Sequence, residues 1–157
     1  MVKTYKVVIP LLVFAAAVLG SVFTNMGLED WYVNLQKPEL TPPNSVFGPA
    51  WTIIYVCGAL SALTFWGVFN ISRMRHWVIN GLYRFNLMLN VFWSYLFFAQ
   101  RQVLAAFIEM NVLNLTTLSL IVLLWPVSKK ASLLLLPYFG WVSFATYLTY
   151  GVWVMNG

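Results

Sequence analysis

Asn86, Asn90, Trp93 and Phe97 stand at i, i+4, i+7 and i+11, the spacing that puts side chains on one continuous helix face. Amides and aromatic rings on one stripe can hold a flat apolar ligand, with indoles walling it and one amide orienting it. Trp51 and Tyr55 share a face with Gly58, and Pro137, Trp141, Ala145 and Leu148 share another. Most of the 8 tryptophans, such as Trp66, Trp77, Trp125 and Trp153, read as interfacial belt residues. Asparagines in apolar runs commonly act as glue between helices. Asn90 and Trp93 differ, because they lie deep in their apolar run, away from either belt. Arg84 and Glu109 also fall inside apolar runs, and a charge in hydrocarbon is costly enough to call for a role. They enter from opposite ends at depths of roughly 10 Å each, so sequence alone does not specify an ion pair. Arg84 reads as snorkelling toward headgroups. Glu109 reads as facing the bundle interior, as a hydrogen-bonding anchor or as part of a polar path.

The common catalytic constellations are absent: no Gly-rich phosphate loop, no paired carboxylates and no Ser-His-Asp set. His76 is the only histidine and sits in a basic turn, where a solvated loop residue is expected. Cys57 is the only cysteine and lies in an apolar stretch, which suits a small packing residue. No metal site and no obligatory cofactor are expected. The formal net charge of +5 does not indicate nucleic acid, because the basic residues occupy short loops between apolar runs.

The elements that position these residues follow from composition. Of 157 residues 61% are hydrophobic and only 8% charged, whereas a soluble domain carries roughly a quarter charged. Lipid is therefore the solvent for most of the chain, as an integral, multi-pass membrane protein. A hydrocarbon core ~30 Å thick takes about 20 helical residues. The expected fold class is an all-α membrane protein, a single bundle of five transmembrane helices forming one domain over 1–157. The spans fall at about 7–26, 46–70, 77–99, 103–125 and 131–155. Between the first two runs GLEDWYVNLQKPELTPPNS forms the one sizeable polar connection. Pro38, Pro42 and Pro43 fix φ and remove donors there, which predicts a stiff cap over one end with one turn near Asp30 to Leu35.

These residues resemble the TspO/MBR family, the tryptophan-rich sensory proteins that include the mitochondrial translocator protein (the peripheral-type benzodiazepine receptor). The resemblance is carried by WYVNLQKPELTPP at Trp31 to Pro43, by Trp51 and Tyr55, and by Asn90, Trp93, Phe97 and Phe98. LLLPYFGWVSFATYL at Leu134 to Leu148, FAQRQ from Phe98 and the acidic Glu109 are further matches. It implies a five-helix bundle, commonly a homodimer, with a pocket capped by the first loop. It also implies ligands such as protoporphyrin IX, haem, sterols and benzodiazepine-type drugs. Carried over by motif position, the ligand-binding residues are Tyr32, Pro42, Trp51, Asn90, Trp93, Trp141 and Ala145, with Tyr55 and Leu148 nearby. Some bacterial members promote light-dependent porphyrin breakdown, for which Trp51 and Trp141 are the candidate catalytic residues. Transport of hydrophobic molecules is a third reading, although the scarcity of polar residues argues against a continuous aqueous pore. Two departures stand out. After Tyr150 the chain reads GVWVMNG with no basic residue, which breaks the cholesterol motif of vertebrate relatives. Ser94-Tyr95 follow Trp93 where many relatives have proline, predicting a less kinked third helix.

Orientation follows from basic residues in short loops. Lys3, Lys6, Arg73, Arg75, Lys129 and Lys130 fall on one side, against Lys37 and Arg101 on the other. This bias predicts an amino terminus inside and the proline-rich loop outside. An impermeant amine reagent applied to intact cells is expected to modify Lys37 and spare Lys129; the reverse pattern inverts the topology.

Overall fold

The computed structural model describes residues 3–69 and 71–157. Met1, Val2 and Asn70, the last being the expected end of the second span, lie outside the described residues. Helix α1 covers Tyr5–Asn25, and α2 covers Asn44–Trp66. Helix α3 covers Arg73–Ser94 and runs on as a π-helical turn over Tyr95–Ala99. Helix α4 covers Val103–Leu124, a short α5 covers Lys129–Leu133, and α6 covers Leu136–Asn156. Contacts join α1 to α2, α2 to α6, α6 to α4, α4 to α3 and α3 back to α1, which closes a ring of five helices. The segment α5–α6 acts as the fifth spanning unit.

Four of the five units are long and apolar enough to cross a membrane on composition alone. The exception is α3, which carries Asn80, Asn86 and Asn90 on its buried side. Large apolar side chains cover the outside instead, among them Phe14 (68% exposed), Met88 (69%) and Leu115 (63%). A molecule this apolar on its surface is solvated by hydrocarbon. The bundle is an integral membrane protein.

Local signals explain the helix boundaries. The Ser72 and Ser128 hydroxyls accept from the Arg75 and Ala131 amides at 3.4 and 3.3 Å, satisfying first-turn donors. The Ser72 cap moves Arg73, Arg75 and His76 out of the expected basic turn and into the first turn of α3. His76 is consequently not a solvated loop residue. It stacks on Phe65 at 5.2 Å, meets Trp66 edge-on at 4.9 Å and bonds Asn80 at 3.1 Å. The expected continuous fifth span is divided at Leu134–Leu135, just before Pro137, whose ring removes a helical donor and crowds the preceding turn. Proline is absent after Trp93, yet the α-helical ladder still breaks there. The Gln100 amide reaches back five residues to the Tyr95 carbonyl at 2.9 Å, and Arg101 adopts φ 56° to start the turn into α4.

Several polar groups inside the ring pair with one another. Asn86 donates to the Thr116 and Thr117 hydroxyls at 3.0 and 2.9 Å. The Tyr138 hydroxyl donates to Asn86 Oδ1 at 2.6 Å and accepts from Asn90 Nδ2. Asn90 Nδ2 also donates to the Asn86 carbonyl at 2.9 Å. This hub ties α3, α4 and α6 together. A second node links α2, α3 and α5: Ser61 Oγ lies 2.6 Å from the Tyr83 hydroxyl and 2.6 Å from the Ala131 carbonyl. Tyr138→Phe removes one hydroxyl and leaves Asn86 Oδ1 without its donor in a low-dielectric interior. The expected cost is about 1 kcal/mol, read as a lower thermal midpoint in detergent.

Candidate functional site

Beneath the first loop a cavity of about 430 Å³ opens between α1, α2, the end of α3 and α6. Its aromatic wall is a continuous stack. Trp51 of α2 lies against Trp93 of α3 with centroids 5.4 Å apart and planes 26° from parallel. Trp93 stacks on Phe97 at 5.4 Å and 22°. The π-helical turn shapes the end of this wall, because the consecutive residues Phe97 and Phe98 are both buried, at 3% and 7% exposure. A regular helix turns successive side chains about 100° apart, so the wider turn supplies an irregularity of the kind often found at functional sites.

Much of the remaining lining is small-sided. Ala17, Gly20, Ser21 and Thr24 of α1 and Ala145, Leu148 and Thr149 of α6 also line the space. Gly27, just past α1, touches Phe98 so closely that a Cβ would collide with the Phe98 carbonyl oxygen. That approach fixes where the loop leaves the bundle.

The loop is a latched lid. Its 3₁₀ turn at Tyr32–Asn34 buries Tyr32 against Phe98 at 5.6 Å and Phe97 at 6.1 Å. The Lys37 ammonium sits 4.6 Å from the Tyr32 ring centroid, and burial pushes the Tyr32 phenol above its ordinary pKa. Gln36 and Asn156 form a reciprocal pair. The Gln36 amide donates to Asn156 Oδ1 at 3.0 Å, and Asn156 Nδ2 donates to the Gln36 carbonyl at 2.8 Å. Pro38 sits directly on Gly151 of α6, where a Cβ would overlap the proline ring.

The structure gathers Tyr32, Trp51, Tyr55, Trp93, Ala145 and Leu148 around this cavity. It leaves three expected residues outside the lining. Pro42 stays in the lid beside Thr41, which does line it. Asn90 lies about one helical turn from Trp93, with its amide nitrogen held by Tyr138 and the Asn86 carbonyl. Trp141 packs edge-on against Phe47 at 5.9 Å, and Phe47 rather than Trp141 forms the wall. Among the described residues, the buried Trp93 Nε1, Thr41 Oγ1, Asn90 Oδ1 and Trp141 Nε1 lack hydrogen-bond partners, as do both Glu109 oxygens. Glu109 is only 6% exposed and turned into the bundle, as its short reach required, while Arg84 of α3 is exposed.

Sequence reasoning overlooked the α1 wall and the role of Tyr138. The spacing of Ala17, Gly20, Ser21 and Thr24 by three and four residues was a legible signal of a close helix face. Tyr138 sits within a stretch used for the resemblance, but its partners come from α3, far away in sequence.

A five-helix membrane protein with a capped, aromatic-walled intramembrane cavity is the class that fold and site define together. Within that class the chain belongs to the TspO/MBR family, which it matches over residues 8–154. It is 38% identical over 148 residues to the tryptophan-rich protein TspO of Archaeoglobus fulgidus, covering 93% of each chain. It is 34% identical over 146 residues to the tryptophan-rich protein TspO of Chlorobaculum tepidum, covering 92% of this chain and 91% of that one. Identity to the translocator protein of Homo sapiens is 33% over 138 residues, or 88% of this chain and 82% of that one.

Gly151→Ala tests the latch. The added methyl group meets Pro38 and forces the lid away from α6, while the helix gains a better helix former. Backbone amides of residues 28–41 are expected to exchange with deuterium faster, with α3 and α4 unchanged. Unaltered lid protection would show that Pro38 does not hold the lid closed.

Proposed function

We propose that the lidded cavity is a binding site for porphyrins, such as protoporphyrin IX or haem, and related flat hydrophobic ligands. The observation that carries this reading is the Trp51–Trp93–Phe97 stack bordering the cavity, with interplanar angles of 26° and 22°. A planar ring extends such a stack with little reorganisation, gaining contact area and offset π interactions together. Trp93 and Thr41 belong to the lining, and their buried Nε1 and Oγ1 are unpaired, which leaves a donor and a hydroxyl uncommitted beside the cavity. Family membership adds weight, since the relatives carry the names tryptophan-rich protein TspO and translocator protein. The protein acts, on this reading, as a receptor that signals through the occupancy of its cavity and the state of its lid. An internal amino terminus accompanies this reading, supported by the bias of basic residues in the short loops; Lys3 on Phe69 and Tyr5 on Trp66 lie at the end opposite Gln36 and Asn156.

Titration with protoporphyrin IX, read by quenching of tryptophan emission, tests the assignment. Trp51→Leu and Trp93→Leu are each expected to weaken binding by about 1 kcal/mol or more, the scale of a lost aromatic contact plus area. Trp141→Leu, which removes a ring behind Phe47, is expected to have the smaller effect. Equal affinity in all three variants moves the site elsewhere. Repeating the titration under illumination reads whether bound porphyrin is destroyed, which separates a receptor from a photodegrading enzyme.

A further inference from the structure

A second cavity of about 270 Å³ lies toward the other end of the bundle, between α1, α2 and α3. It runs along α2 from Tyr55 to Trp66, a rise of roughly 16 Å at 1.5 Å per residue, toward the end that carries Lys3 and Lys6. Gly58, Ala59 and Ala62 hollow the α2 face, and Leu12 and Ile54 make the remaining wall apolar. It shares Tyr55 with the lidded cavity but has a different chemistry, because Arg84 is its one charged lining residue.

No carboxylate is available to Arg84. The chain has 4 acidic residues. Glu29, Asp30 and Glu39 stand in the lid segment at the far end, and Glu109 lies early in α4, in the half of the bundle nearest the lid. Among the described residues no ion pair and no side-chain hydrogen bond involves Arg84, although Asn80 lines the cavity one turn away on the same stripe. A guanidinium at hydrocarbon depth offers five donors in a planar fork and requires an anion or water to satisfy them. An apolar slot about as long as part of an acyl chain, with one cation on its rim, is complementary to a single kind of molecule.

We propose that this inner cavity binds one acyl chain of an anionic amphiphile, with its carboxylate or phosphate head held by Arg84 and Asn80. The chain occupies the slot along Gly58, Ala59 and Ala62, and the head exchanges solvent for the fork of the guanidinium. The surrounding basic end raises the local concentration of such molecules before they enter. Two sources share this chemistry, a free fatty acid and an anionic phospholipid.

The test uses the whole protein in phosphatidylcholine nanodiscs. Dibrominated stearate and dibrominated phosphatidylglycerol are titrated in separate arms, and dibrominated phosphatidylcholine serves as the neutral arm. Bromine quenches the neighbouring indole of Trp66, with Trp66→Phe giving the background from the other tryptophans. Saturable quenching is expected in at least one anionic arm, about tenfold tighter than in the neutral arm, as a charge-assisted contact requires. The arm that saturates first identifies the source. Arg84→Gln is expected to remove the tenfold preference, and Arg84→Lys to retain most of it. Ala59→Phe fills the slot with the charge intact and is expected to abolish saturable quenching in every arm. Equal quenching by neutral and anionic chains in the unaltered protein overturns the proposal without recourse to any variant. An unchanged titration in Arg84→Gln or in Ala59→Phe overturns it as well.

Discussion

Hydrocarbon offers no hydrogen bonds, so a polar group carried into the bundle is costly unless it finds its partner there. The Asn86–Tyr138 contact is where that constraint is met most densely. One phenol bridges two asparagines of α3, and the first of those asparagines grips two threonines of α4. Remove any member and at least one buried dipole is orphaned, which is more costly than never having placed it. The hub therefore specifies the mutual rotation of α3, α4 and α6. That rotation determines which residues of α3 look into the cavity above it.

Trp93 stands seven residues beyond Asn86, on the same face by helical periodicity, so fixing the amide also fixes the indole. The π-helical turn that follows then brings Phe97 and Phe98 inward together and lets the chain reverse at Arg101. The lid rests on this same aromatic cluster through Tyr32. Cavity wall and lid are thus one packed unit, and a ligand entering beside Trp93 disturbs the seat of Tyr32. Under the proposed receptor function, that coupling is the physical means by which the lid would report occupancy.

The two ends of the molecule are built differently. The lid end is closed by main-chain clasps and close contacts, Gln36 with Asn156 and Pro38 with Gly151. Among the described residues, the other end is built from short turns and from aromatic rings stacked around His76 and Trp66, and Trp66 lines the inner cavity there.

Much of this was legible in the residues themselves. Membrane character, the five helical units and the capping loop follow from composition and from proline placement, because hydrocarbon thickness and φ restriction act locally along the chain. The face shared by Asn86, Asn90, Trp93 and Phe97 follows from periodicity alone. Motif resemblance pointed to the family, to which the chain does belong. What periodicity could not decide is which residue on a face reaches the open space. Trp141 and Ala145 share a face of α6, yet Ala145 lines the cavity while Phe47 stands in front of Trp141. Nor could local rules anticipate that a serine cap would carry His76 into α3, or that the break after Ser94 would arise without proline. The small-residue wall of α1 and the unpaired Arg84 beside its slot acquire meaning only when α1, α2 and α3 come together. Secondary structure and lipid exposure are set by neighbours in the chain. Cavities are set by distances between helices, which depend on all the side chains packed between them at once.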